Sequence, residues 1–144
     1  MPEPLFKTPP TLVDPVSGTR AWFFDEARTV VDQTTGAMTL AVAKFLTGPM
    51  EAELQRRYVN AGKKVRYVHD WRSCLSYDAG ARQLLIEWGR ASRAHAEHVG
   101  VHLSPDASPF VRIAAATGIS VLRMAKMPIE LLTNLDSIVA ELSR

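Results

Sequence analysis

From Arg20 onward the chain alternates between short apolar runs and polar breaks. RAWFFDEARTVVDQTTGAMTLAVAKF holds three runs rich in aromatic and β-branched residues, Ala21–Phe24, Thr29–Asp32 and Met38–Phe45, divided by the turns DEAR and QTTG. Runs of this length and composition predict short antiparallel strands, with Trp22 and Phe24 on one face and Phe23 on the other. LTGPMEAELQRRYVNAGKK predicts a helix instead. Pro49 suits the first helical position, where a missing N–H costs nothing. Glu51 and Glu53 precede Arg56 and Arg57, as the helix dipole favours. Met50, Leu54 and Tyr58 recur every four residues as an inward stripe, and Asn60-Ala61-Gly62 ends the element.

Lys64–Asp70 alternates Val65, Tyr67 and His69 against Arg66, Val68 and Asp70, which predicts a strand. Tyr77–His95 reads as a long helix with Asp78 as N-cap and Leu84, Leu85, Trp88 and Ala91 facing the core. His98–Leu103 is a further strand. SPDASPFVRIAAATG predicts a helix closed by Gly118, and Ile119–Met124 a strand after it. Pro128 opens a last helix through Leu142. Three strands followed by alternating helix and strand imply right-handed crossovers, so the fold class is α/β: a mixed, mostly parallel sheet with an N-terminal antiparallel hairpin and about four helices. The domain is expected to span residues 20–144. Residues 1–19 are expected to form an irregular arm, because five of the nine prolines fall in residues 1–15 and proline removes backbone donors.

A chain of 144 residues is long enough for one domain whose core needs no disulfide or metal. The net charge of +2, with only Arg56, Arg57, Lys63, Lys64 and Arg66 grouped, is too weak to imply a nucleic-acid partner, and none is expected. The single cysteine, Cys74, excludes an internal disulfide and suits a reducing compartment. No apolar stretch reaches the ~18–20 residues that a bilayer requires, and MPEPLFKTPP lacks the order of a secretory signal. A cytoplasmic location without membrane insertion is the expectation.

The stretch VRYVHDWRSCLSYDAGARQLL (65–85) concentrates the reactive side chains. His69 and Asp70 with Ser73 or Cys74 would supply base, acid and nucleophile, but neighbours on a strand point to opposite faces and diverge. His95, His98 and His102 have metal-like spacing, yet a helix end and a strand intervene. No Gly-rich phosphate loop is present. Neither catalytic residues, a metal nor a cofactor is therefore expected. What remains is an interaction surface at the strand-to-helix loop, where open α/β sheets place their sites.

Three stretches carry a family resemblance: LAVAKFLTGPMEAEL, KKVRYVHDWRSCLSYDAGARQLL, and VGVHLSPDASPFVRIAAATGISVLRMAKMPIELLTNLDSIVAEL. From residue 20 to the end the pattern resembles the STAS domain superfamily (sulfate transporter and anti-sigma factor antagonist domains). It is most similar to the SpoIIAA-like branch, which lies close to the CRAL-TRIO/Sec14 fold. The resemblance implies a bacterial, non-enzymatic regulatory protein that works through protein–protein contacts, with a homodimer possible. It places partner binding on Asp70, Trp71, Arg72, Ser73, Ser76, Tyr77 and Asp78. The family's Asp-Ser-Ser/Thr-Gly phosphorylation tetrad corresponds here to Tyr77-Asp78-Ala79-Gly80, so the usual phosphoserine switch is absent and Ser76 and Ser73 are the nearby hydroxyls open to modification. The Sec14-like relatives imply an alternative, a binding module for an apolar or lipid-like small molecule. A cavity lined by aromatic and Met residues would favour it.

Overall fold

A computed structural model describes residues 2–144, the Phe110 side chain excepted. Six strands form one sheet in sequential order: β1 (Leu12–Val13), β2 (Arg20–Phe24), β3 (Thr29–Gln33), β4 (Val65–Trp71), β5 (Ala96–Leu103) and β6 (Ile129–Leu131). The first two pairings are antiparallel and the remaining three parallel, so the fold is α/β with an N-terminal hairpin, as the alternating pattern predicts. Four helical stretches complete it. The first runs α1 (Leu40–Phe45), a π-helical turn Leu46–Met50, and α2 (Glu51–Arg57). The others are α3 (Ala79–Ser92), α4 (Pro109–Met124) and α5 (Leu135–Leu142).

Sequential order has a geometric consequence. Each parallel crossover steps the same way across the sheet, and right-handed crossovers that never reverse place every connecting helix on one face. The first helix pair, α3 and α4 accordingly cover a single face, where Val30, Tyr67, Trp71, Val99 and Val101 join Val42, Leu46, Met50, Ala81 and Leu122 in the main core. The opposite face goes to α5 and the N-terminal arm: Leu132, Leu135 and Ile138 meet Val31 and Val68, while Phe6 closes on Trp22 and Phe24 at ring separations of 5.2 and 4.8 Å. The strand alternation expected of the aromatic trio holds, with Phe23 turned to the other face against Tyr58. The arm is less irregular than its prolines suggest. Leu12–Val13 pairs with β2, and backbone carbonyls of Glu3 and Thr8 accept bonds from Gln33 and Trp22.

Four assignments need correction. Met38–Phe45 is not a strand: only Met38 makes a bridge, to Tyr77, and from Leu40 the chain is helical because Thr39 caps it, its hydroxyl accepting from Val42 N–H at 3.2 Å. Pro49 therefore lies inside a helix rather than at its start, in the π turn, where its missing N–H removes one bond from an already widened ladder. Gly118 does not close α4, which continues through Ile119–Met124. It ends in a Schellman motif built on Lys126 (φ 63°): Lys126 N–H reaches Arg123 C=O at 2.9 Å and Met127 N–H reaches Leu122 C=O at 2.9 Å. Finally, Pro128 precedes a strand, not a helix. Its carbonyl accepts from Val99 N–H, Ile129–Leu131 forms edge strand β6, and helix resumes only at Leu135.

A cavity beneath the third and fourth helices

The parallel register sets Asp32 on β3 directly beside His69 on β4. Both are buried, Asp32 completely. The Asp32 carboxylate binds His69 Nδ1 through one oxygen, and its other oxygen accepts from Trp71 Nε1 at 2.8 Å. His69 stacks on Trp71 with ring centroids 4.7 Å apart and meets the edge of Trp88 at 5.6 Å. Leaving a charge buried beside orphaned N–H groups costs several kcal/mol, so Asp32, His69 and Trp71 hold one another in place. His69 thus pairs with Asp32 from another strand, and neither with Asp70 nor with Cys74.

Asp70 points to the opposite face, where it takes both Nε and Nη2 of Arg72, at 2.8 and 3.0 Å. Cys74 is buried and donates to Thr34 Oγ1 at 3.2 Å. Burial pushes its thiol up to about 12, far from a nucleophile's range. Of the other residues expected at a partner surface, Trp71 is buried and committed to Asp32. Arg72 and Ser73 are partly covered, and Ser76 and Asp78 are exposed. Asp78 does not cap α3 with its side chain; its Oδ2 accepts from Leu40 N–H at 3.2 Å and so serves the start of α1 instead. Tyr77 turns inward: its hydroxyl is buried without a partner among the described residues, and burial raises it well above its ordinary range.

Beneath α3 and α4 these side chains enclose a cavity of about 100 Å³. Its floor is Tyr67, His69 and Trp71 of β4 with Val99, Val101 and Leu103 of β5. Leu85, Ile86, Trp88 and Gly89 of α3 form one wall, and Ala114, Ala115, Gly118 and Ile119 of α4 the other. The lining is overwhelmingly apolar and the space opens to one side. Small residues line both facing helices: Leu122 packs directly over Gly89, and even a Cβ added at Gly118 would only just reach Ile86, at 4.0 Å. Two buried N–H and O–H groups on this lining, Trp88 Nε1 and the Tyr77 hydroxyl, have no partner among the described residues. Both atoms are closed to a water-sized molecule, so they sit behind the lining and do not face the open space.

A second polar group lies toward the other end of β4. Tyr67 OH contacts Glu51 (3.1 and 3.2 Å) and His95 Nε2 (3.0 Å), and Ser92 and His95 also reach Glu51. The three histidines with metal-like spacing are dispersed: His95 on Glu51, His98 on Glu130, and His102 on the opposite face near Arg72. Among the described residues no cluster of three His, Cys, Asp or Glu side chains could hold a metal, and no helix is long and apolar enough to cross a membrane. Asp32 and Trp88 were invisible as site residues in the sequence. The only available signal was an acid inside the apolar strand TVVD, a position where an unpaired carboxylate would be intolerable. No protein-family model, curated protein or solved structure matches the chain.

Proposed function

We propose that this protein is a binding domain for a small, predominantly apolar molecule held beneath α3 and α4. The cavity carries this reading: it is lined by Tyr67, His69, Trp71, Tyr77, Trp88 and Met127, and its lining is almost wholly apolar. Apolar cavities of about 150 Å³ take up benzene, so this smaller space of about 100 Å³ suits at most a single small ring. The test is uptake of benzene, followed by the Trp88 indole resonance and by the rise in Tm. Gly118→Leu should abolish uptake by filling the space between α4 and Ile86 of α3 while the fold stays intact, since replacing a mid-helix glycine gains about 0.8 kcal/mol of helix propensity. Wild-type protein that never perturbs Trp88 at saturating benzene would refute the reading.

A regulatory contact with another protein, as in STAS and SpoIIAA-like domains, is a second reading. What favours it is the exposed rim where Leu75 (61% exposed) and Leu40 (40%) lie beside Ser76 and Asp78. The loops carrying them are clasped by Met38 N–H to Ser76 C=O and Asp78 N–H to Met38 C=O. Leu75→Asp and Asp78→Lys should each release a partner, or a second copy in a homodimer, without lowering Tm by more than a cap's worth. Retention of the partner by both folded variants would exclude that surface.

A further inference from the structure

We infer that the ligand of this cavity is amphipathic: a small apolar body with a carboxylate at its outer end, where Arg82 receives it. The inference rests on the cavity reading above and concerns what stands at the opening. Of the residues that line the space, Arg82 alone is exposed, and the others are buried or half-buried. It therefore marks the place where the cavity meets solvent, near the start of α3. A guanidinium keeps its charge at any pH at which the protein is folded. Arg28, Arg56, Arg57 and Arg72 each pair with a carboxylate, whereas Arg82 has no ion pair or side-chain hydrogen bond among the described residues. Asp78, one turn earlier and the natural partner on the helix surface, accepts from Leu40 N–H instead. Arg66, Arg90 and Arg112 also lack partners among the described residues, but none of them lines the cavity.

An apolar space with one fixed cation at its edge asks different things of the two ends of a ligand. Inside, Leu85, Ile86, Val99, Val101 and Ile119 offer a charged group nothing in exchange for its water, so the head stays out. At the edge it keeps much of its hydration and gains the planar fork of Arg82, which meets both oxygens of a carboxylate. A phosphate monoester brings nearly two charges to a single cation and matches it less well. An ammonium head is repelled, and a plain hydrocarbon fills the space without using Arg82. The size of the cavity holds the body to one ring, which Tyr67, Trp71 and Trp88 meet with their own aromatic surfaces.

The probes are phenylacetate, its neutral counterpart phenylacetamide and the cation phenethylamine, titrated by calorimetry, with benzene and the Trp88 indole resonance reporting on the cavity itself. Phenylacetate should bind wild type about fivefold tighter than phenylacetamide, the effect of one ion pair at an exposed position, and the amine should bind weakest. At about 1 M salt, where charges act over only about 3 Å, the preference should shrink. R82Q should bind acid and amide alike, and R82E should favour the amine over the acid. Both changes fall on exposed helix surface, and Gln and Glu are good helix formers, so the fold is kept. R90Q removes the same charge from the same helix away from the cavity and should leave the preference in place. If benzene moves Trp88 in wild type but phenylacetate is not preferred, or if R90Q loses the preference as fully as R82Q, the carboxylate assignment falls and the cavity reading stands. Failure of benzene and all three probes to move Trp88 overturns both.

Discussion

Gly100 and Gly89 make a matched pair that tests the packing of the two faces. A Cβ added at either glycine would collide with a leucine. At Gly100 the contacts are with Leu132, 2.5 and 2.6 Å to its methyls and 2.6 Å to Cγ, so the whole branched end overlaps. Leu132 is buried among Phe6, Val68, Leu135 and Ile138, with both its neighbours and the β5 backbone fixed by the sheet. Overpacking of this kind costs about 1–3 kcal/mol. For a chain of this length that lowers Tm by roughly 3–10 °C. At Gly89 the overlap is with the methyl tips of Leu122, at 2.7 and 2.9 Å, and Leu122 borders the cavity. The tips can swing into that space, and alanine in mid-helix returns about 1 kcal/mol of propensity. Gly89→Ala should therefore stay within about 1 kcal/mol of wild type, while Gly100→Ala is clearly destabilised. Urea denaturation measures both, and a double-mutant cycle isolates the cause: in a Leu132→Ala background most of the Gly100→Ala cost should disappear. If the cost persists there, or if the two glycine variants are equally destabilised, the account of the two faces is wrong.

Two further expectations concern titration and reactivity. Cys74, buried and with its thiol pushed up to about 12, should resist alkylation at neutral pH in the folded protein and react only on unfolding; modification of native protein within minutes would contradict its placement. Burial first, then the Arg72 charge, holds His102 below its ordinary 6.5, against the opposing pull of Asp70 and Asp136. The unfolded chain therefore binds this proton more readily, so stability falls as pH drops through 6.5, and His102→Asn should flatten that fall in the urea midpoints.

The sequence was legible where local pattern and final environment agreed. Strands β2 to β5 showed their β-branched and aromatic runs, and α3 its inward leucines and tryptophan. Errors arose where one residue type served an unusual purpose. Met38–Phe45 is too short for periodicity to separate a strand from a helix, and the Thr39 cap decides it. Gly118 resembles a stop, yet it lies in mid-helix beside the cavity, while the true stop uses Lys126, a left-handed residue that composition does not advertise. The site was half legible. The 65–85 stretch drew attention to His69 and Tyr77, but its main partner comes from β3 and its walls from α3 and α4. Only the strand register brings Asp32 to His69, and no spacing within one segment encodes a register.

The π turn at Leu46–Met50 keeps a stripe in phase. Val42, Leu46, Met50, Leu54 and Tyr58, all buried, are spaced by four without exception. On a regular helix a step of four overshoots the turn by roughly 40°, so the last of these would sit about 160° around from the first and face solvent. One widened turn winds back part of that drift and lets both halves of the helix rest on the same sheet. The widened turn absorbs a surplus residue. Deleting Thr47 or Gly48 would shorten the step from Leu46 to Met50 to three residues, and a regular helix would then hold the stripe on one face without any widened turn.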